Sequence, residues 1–503
     1  MQTSQISNRG LSWWCERAII GCIFLFAVCA PHSIAATQTF WLLGLTFWVL
    51  RFLFQPRPKL FRTPVDYALL GFFILSGLSG VFSYSPIVSI GKMRAASLFT
   101  IVYLVAQNVR WLRLVHLLAL ALIGSCMINV LFTAGQFVLG RGVKVEGVKA
   151  ESPLAKAVFR TVVVKQPTPI QDGDTIWEVD KKPIGNPDEL AAALAGGAGF
   201  AQVRIYRVEW MPVLEVPRGE LLPGSTALQQ LGISSWSRGR DWRATGFYGH
   251  WVTYAEVLQL IASLAVGLFL TAPRKNGLYG RLLFFAIVGL VFALALTVTR
   301  ASWVGFAISV AVMLALSVSR RTLLIAIALA IPLILGGVIL LQTKRNVGFI
   351  DTKDQSTTWR ETVWREGFQL LVSKPRHLLF GVGMDSIKAH WREWGLFDNG
   401  RLPIGHMHSN LLQIALERGV PALIVWLILL GVYGRMLFRL IRTDGLSEVR
   451  GVALGALGGL IGFFASGLVH YNWGDSEVVM VFYFVMGLSL AINQIVQGDV
   501  QSA

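Results

Sequence analysis

Ionisable residues are sparse in this chain, and those able to do chemistry gather in a few short stretches. The most pointed is His406-Met-His408-Ser-Asn410, which opens an apolar run. Histidine exchanges protons near neutral pH, and arginine offers a permanently charged fork suited to phosphate or carboxylate. Upstream, Trp359-Arg360 and Trp364-Arg365 repeat an aromatic and cationic pair. The two arginines lie five positions apart, so they do not share a helical stripe; one can face a site and the other a solvated or interfacial side. Arg243 precedes His250, and Arg300 interrupts two apolar runs with no polar loop to carry it. Glu417 and Arg418 sit inside an apolar run, where each costs about 2.5–3.5 kcal/mol on insertion scales, so they are expected to pair or to face protein. A metal site from His390, His406 and His408 is conceivable, but His-x-His with a distant third histidine is a weak ligand pattern, and none is assigned.

The elements that must hold these residues are membrane helices. The chain has 503 residues, 54% of them hydrophobic and only 15% charged, which describes an integral membrane protein rather than several soluble domains. Its formal charge of +17 does not indicate nucleic acid, because the basic residues sit in short runs between apolar stretches. Cys15, Cys22, Cys29 and Cys126 lie in or beside apolar segments and form no disulfide framework.

A spanning helix needs about 20 mostly apolar residues, and about twelve such runs are found. They cover 17–35, 39–54, 65–82, 95–108, 114–139, 251–272, 282–298, 302–318, 322–341, 410–433, 451–471 and 478–495. With a cytoplasmic N-terminus, the inner connections carry clusters such as Arg57, Lys59 and Arg62, or Arg435, Arg439 and Arg442. The short outer loops hold only Lys92, Arg94 and Arg300. Both termini are then expected in the cytoplasm. Lys92 and Arg94 break the pattern on the outer side, which makes an anionic headgroup a reasonable ligand for them.

The expected fold is therefore an all-α polytopic membrane protein with a small α+β extracytoplasmic insertion. It divides into N-terminal helices (1–139), the insertion (140–218), a connector (219–250), helices six to nine (251–341), an outer loop (342–409), and three helices with a tail (410–503). In the insertion Val143-Lys-Val-Glu-Gly-Val, Ser152-Pro-Leu-Ala-Lys-Ala, Gly173-Asp-Thr-Ile, Asp180-Lys-Lys-Pro-Ile184, Asn186-Pro-Asp-Glu-Leu190 and Val203-Arg-Ile-Tyr-Arg207 follow in order. This order resembles a bacterial PDZ domain, with a longer stretch than usual between Ala157 and Gly173. The resemblance implies capture of an extended peptide from a protein partner; the alternative is a spacer without a ligand.

Gly381-Val-Gly383, the spacer after it, and His408-Ser-Asn410 leading to Gly419-Val420 together resemble the O-antigen ligase and polymerase family. Arg243-Ala-Thr-Gly-Phe247 with His250 and Tyr254-Ala255, and Thr299-Arg-Ala-Ser-Trp303, match further elements. The resemblance covers about 243–470. It implies an inverting, metal-independent C-type membrane glycosyltransferase with no cofactor, at the periplasmic face of the bacterial inner membrane. The donor would be a glycan on undecaprenyl pyrophosphate, and the acceptor lipid A core or a growing glycan.

On that reading His408 is the candidate base, the alternatives being a helix cap or a phosphate contact. Arg243, Arg300 and Arg360 are the catalytic cations. Arg365, His250, Lys92 and Arg94 are candidate substrate contacts. An O-antigen or exopolysaccharide polymerase and a protein O-oligosaccharyltransferase share the same donor chemistry. A secondary transporter would also have about twelve spans, but would cluster its ionisable residues near the bilayer midplane rather than at the outer ends.

Overall fold

The computed structural model describes residues 2–160, 165–207, 211–240, 242–321, 324, 355–443 and 446–502. Among these, nine helices are long and apolar enough to cross a membrane: Gly10–Cys29, Pro86–Asn108, Leu112–Leu139, Trp251–Thr271, Leu278–Leu296, Arg300–Ser317, Val420–Arg442, Ser447–Gly467 and Ser476–Gly498. Helices are the natural answer to such runs, since a backbone in hydrocarbon must satisfy its own hydrogen bonds. Two further expected runs form shorter or less apolar helices, Ile34–Arg51 and the 16-residue Asp66–Val81. The run at 322–341 lies outside the described residues.

The run expected at 410–433 is two helices, Asn410–Arg418 and Val420–Arg442. The chain breaks at Gly419, whose φ of +84° lies outside the helical region. Glu417 and Arg418 therefore end a short helix instead of lying within a span.

Trp251–Thr271, Ser447–Gly467 and Ser476–Gly498 are the most buried of the long helices, forming the centre of the bundle. The first two touch backbone to backbone. A Cβ built on Gly455 would lie 2.6 Å from the Leu264 Cα, so a larger residue would push the pair apart. This contact fixes the height at which residues at the ends of these helices meet.

The insertion is an eight-stranded antiparallel sheet: β1 Arg141–Glu146, β2 Val158–Arg160, β3 Lys165–Pro167, β4 Thr175–Val179, β5 Lys182–Pro183, β6 Phe200–Tyr206, β7 Val213–Pro217 and β8 Ser235–Gly239. The order is β3-β2-β7-β6-β4-β1-β8, with β5 on β4. One face buries Val143, Ile176, Val203, Ile205 and Leu214 against the helix Pro187–Ala195. The insertion runs past the expected boundary at 218. β8 pairs with β1 from Arg141 to Glu146, and Leu231 and Ile233 enter the domain core, so much of the expected connector belongs to the sheet.

Candidate functional site

The segment from 355 to 418 has a small core of its own, and that core sets the histidines. Met407 is fully buried; its N–H donates to Gln413 Oε1 at 2.6 Å, and its carbonyl accepts from Trp364 Nε1 at 2.7 Å. With Met407 pinned, His406 and His408 project beside one another, their ring centroids 4.0 Å apart. His408 takes φ +45° and meets Trp359 edge to face at 4.5 Å. His406 faces Tyr471 at 5.5 Å.

Beneath them lies a carboxylate that the sequence reading passed over. Glu256, on Trp251–Thr271, is 1% exposed and gathers donors from three other elements. His470 Nδ1 lies 3.0 Å from Oε1, Ser302 Oγ 3.1 Å from Oε1, Ser466 Oγ 2.7 Å and Asn472 Nδ2 3.2 Å from Oε2. A buried carboxylate so surrounded is compensated, and it ties the ends of the central helices to Arg300–Ser317. Asn472 also accepts from Asn410 Nδ2 at 2.5 Å, and Asn410 Oδ1 receives the Trp473 N–H at 3.1 Å. The asparagine of the His-Ser-Asn stretch thus locks the histidine loop to the bundle.

Arg243 follows the buried Trp242, and the Ala244 N–H donates to the Leu296 carbonyl at 2.9 Å, fixing this stretch to the end of Leu278–Leu296. The Arg243 guanidinium stands 5.2 Å over Trp251. His250 occupies the N-cap of Trp251–Thr271, its ring stacked on Trp251. Arg300 is the first residue of Arg300–Ser317, two positions before the Ser302 that bonds Glu256. Arg360 lies close enough for its charge to act on His408, whereas Arg365 is solvent exposed.

The Gly381-Val-Gly383 stretch crosses directly over the end of Asn410–Arg418. The Val382 and Gly383 N–H groups donate to the Leu416 and Glu417 carbonyls at 2.8 and 3.0 Å. Gly383 has φ +99°, and a Cβ there would lie 1.9 Å from Ser83 Oγ, so only glycine fits. Glu417 pairs with Arg418 at 3.2 Å and accepts from the Asp385 N–H and the Tyr471 hydroxyl. Lys92 is held by Asp385 at 3.0 Å, which also pairs with Lys388 at 2.9 Å. Burial would raise the Asp385 proton affinity, but the two lysines outweigh it and keep this carboxyl below its ordinary value. Lys92 is thus committed to a protein carboxylate, and Arg94 is exposed on the adjoining turn. The structure brings Arg243, His250, Arg360 and His408 together with His406 and His470. Lys92 is held at Asp385 instead, and Arg94 and Arg365 are exposed.

The histidines crowd one another. Burial first, then His406, His470, Arg360 and His250, push His408 down to about 2. Burial, with Lys388, His470 and His250, takes His406 to about 4. His250 falls to about 4 through burial, His470, Arg243 and Arg204, although the residue keeps surface open to solvent. Asp475, hydrogen-bonded by Thr253 at 2.8 Å, is raised by burial to about 7. All three perturbed histidines are neutral at neutral pH, through burial first and positive neighbours second.

His390, considered with the other two as a metal ligand, instead bonds Ser85 Oγ at 2.9 Å and Glu393 at 3.0 Å. Among the described residues no group of three or more His, Cys, Asp or Glu is placed to hold a metal ion.

Glu256, His470, Asn472 and Asp475 are the site residues missing from the sequence candidates. The legible signal was Glu256, a carboxylate inside an apolar span, where an ionisable residue calls for a partner. Residues 257–427 match a family model described as O-Antigen ligase. No curated protein matches the chain.

Proposed function

Since this chain is a membrane protein of the O-antigen ligase family, we propose that it transfers a glycan from undecaprenyl pyrophosphate to an acceptor hydroxyl. The reaction inverts the anomeric centre and uses no metal, at the periplasmic face of the inner membrane, with both termini cytoplasmic and about twelve spans. The observation that carries this reading is the convergence of Arg243, Arg360 and four histidines at one end of the central helices, over a Glu256 already satisfied by its neighbours.

Such a rim suits a diphosphate. Arginine forks bind phosphate oxygens with paired, charge-assisted hydrogen bonds, and they stabilise the charge that builds as the glycosyl bond breaks. The same anion changes the histidines. A diphosphate seated among them brings opposite charge beside the rings, so the proton affinity of His408 rises when the donor binds. The acceptor hydroxyl then gives its proton to His408, its oxygen bonds to the anomeric carbon, and the carbon–oxygen bond to the diphosphate breaks. Undecaprenyl pyrophosphate leaves with the bonding electrons. A base so placed contributes roughly 10²–10⁴-fold.

A ligase to lipid A core is the first reading of the acceptor, with chain polymerisation and protein glycosylation as the alternatives. In the PDZ-like reading, the inserted sheet takes an extended peptide along one of its end strands, β3 or β8. The test incubates purified protein with a lipid-linked glycan and each acceptor class in the presence of a chelator. Transfer to one class assigns the acceptor, and loss of transfer with the chelator overturns the metal-free reading.

A further inference from the structure

Successive side chains of a strand point to opposite faces, so the sheet has a second face beyond the one in its own core. In β6, Ala201, Val203 and Ile205 are buried inside the domain, which turns Arg204 and Tyr206 the other way. Tyr206, together with Trp177 of β4, is buried in the core of the helix bundle rather than that of the domain. Trp177 meets Trp242 with ring centroids 6.3 Å apart, and Trp242 immediately precedes Arg243. The domain is thus docked on the bundle through aromatic residues next to the site.

Two cations share this docked face. The Arg141 guanidinium stacks 3.9 Å over Trp177. Arg204 lies across from Glu178, Nε to Oε1 at 3.5 Å, a long contact that leaves its side chain 37% exposed. Arg204 therefore keeps donors available to solvent at a place where its charge reaches His250, as that of Arg243 does.

We propose that the inserted domain is a wall of the site and that Arg204 binds an anionic oxygen of the lipid-linked diphosphate, opposite Arg243. This rests on the donor assignment above. It adds that the insertion supplies part of the donor's binding site, so the sheet and the bundle together make one recess.

The test measures binding of undecaprenyl pyrophosphate, and glycan transfer, by the full-length protein in lipid nanodiscs. Arg204→Ala is expected to raise the Kd and the donor KM about tenfold, with kcat at saturation within about twofold, as loss of one charge-assisted hydrogen bond predicts. Arg204→Lys should fall between. Glu178→Gln, which removes the cross-strand partner and frees the guanidinium, should leave donor binding unchanged or tighter. Lys149→Ala, which removes a charge from an exposed turn elsewhere in the domain, should change nothing.

Equal weakening by Arg204→Ala and Glu178→Gln would mean that Arg204 only ties two strands together, and would overturn the proposal. Unchanged donor binding in Arg204→Ala would overturn it as well. If the wild-type protein itself fails to bind undecaprenyl pyrophosphate, the donor assignment falls and this inference falls with it.

Discussion

In the inserted sheet, the buried carboxylate of Asp174 takes two hydrogen bonds from Arg207, at 2.7 and 2.5 Å, and Asp180 is paired with Arg218. At the rim of the bundle, His406, His408 and His250 sit among one another and beside Arg243 and Arg360, and burial first, then positive neighbours, lower their proton affinity. The first arrangement closes on itself: each charge has its counter-charge, and the pairs join strand ends. The second gathers buried histidines that are neutral at neutral pH beside two arginines, and a ligand of opposite charge among them would raise their proton affinity. Closed pairs hold the structural part of this molecule together, and on the proposed reading the anion sits at the rim of histidines and arginines instead. Glu256 shows the limit of the contrast, because within the rim region it is paired as completely as Asp174.

The contrast can be broken at its strongest point by His408→Ala, which should lower kcat by roughly 10²–10⁴-fold while the protein still inserts and folds. A steady-state comparison with saturating donor checks this; a rise in KM alone would make His408 a phosphate contact instead.

Next in size, Glu256→Ala should cost about 3–5 kcal/mol of stability, because it leaves buried donors of His470, Ser466 and Asn472 without their acceptor. Thermal unfolding in detergent should show the loss, with Glu256→Gln much milder. Equal behaviour of the two variants would mean that the hub does not depend on its hydrogen bonds.

Arg300→Lys should lower kcat/KM about tenfold, since an ammonium keeps the charge but loses the two-pronged contact. Full activity would show that the position needs charge only.

The crowded histidines also predict a pH effect. His406 and His408 fall from about 6.5 to about 4 and about 2 on folding. The unfolded chain therefore binds their protons first as pH drops, so stability is whole above pH ~6.5 and declines from there through pH ~4 for His406 and on towards pH ~2 for His408. Added undecaprenyl pyrophosphate should reduce that decline, and an unfolding series across this window with and without it reads the difference. The smallest effect is expected from exposed Arg365→Ala, whose transfer rate should stay within about twofold of wild type.

Much of this was legible in the residues. Apolar run length located the spans because the bilayer imposes it, and it failed locally where backbone geometry intervened, as at Gly419. Arg243, His250 and His408 stood out because ionisable residues near the ends of apolar runs are few, and Arg360 because tryptophan and arginine recur together at 359–360 and 364–365. The Glu256–His470 pair did not, since 214 residues separate its members and no local pattern links them. Alternation in β6 shows that Arg204 and Tyr206 share a face, but it cannot say that this face meets the bundle. That depends on Trp242, which arrives after a strand, β8, that begins beyond the expected domain boundary.

The central claim is that the rim of arginines and histidines holds a diphosphate for glycan transfer. Its most direct measurement is single-turnover transfer from a glycan on undecaprenyl pyrophosphate by purified protein with chelator present, comparing wild type with Arg243→Ala, Arg360→Ala and His408→Ala. The account predicts product from the wild type, weakened donor binding in both arginine variants, and near-complete loss of the chemical step in His408→Ala. Wild-type transfer that persists undiminished in all three variants would contradict it.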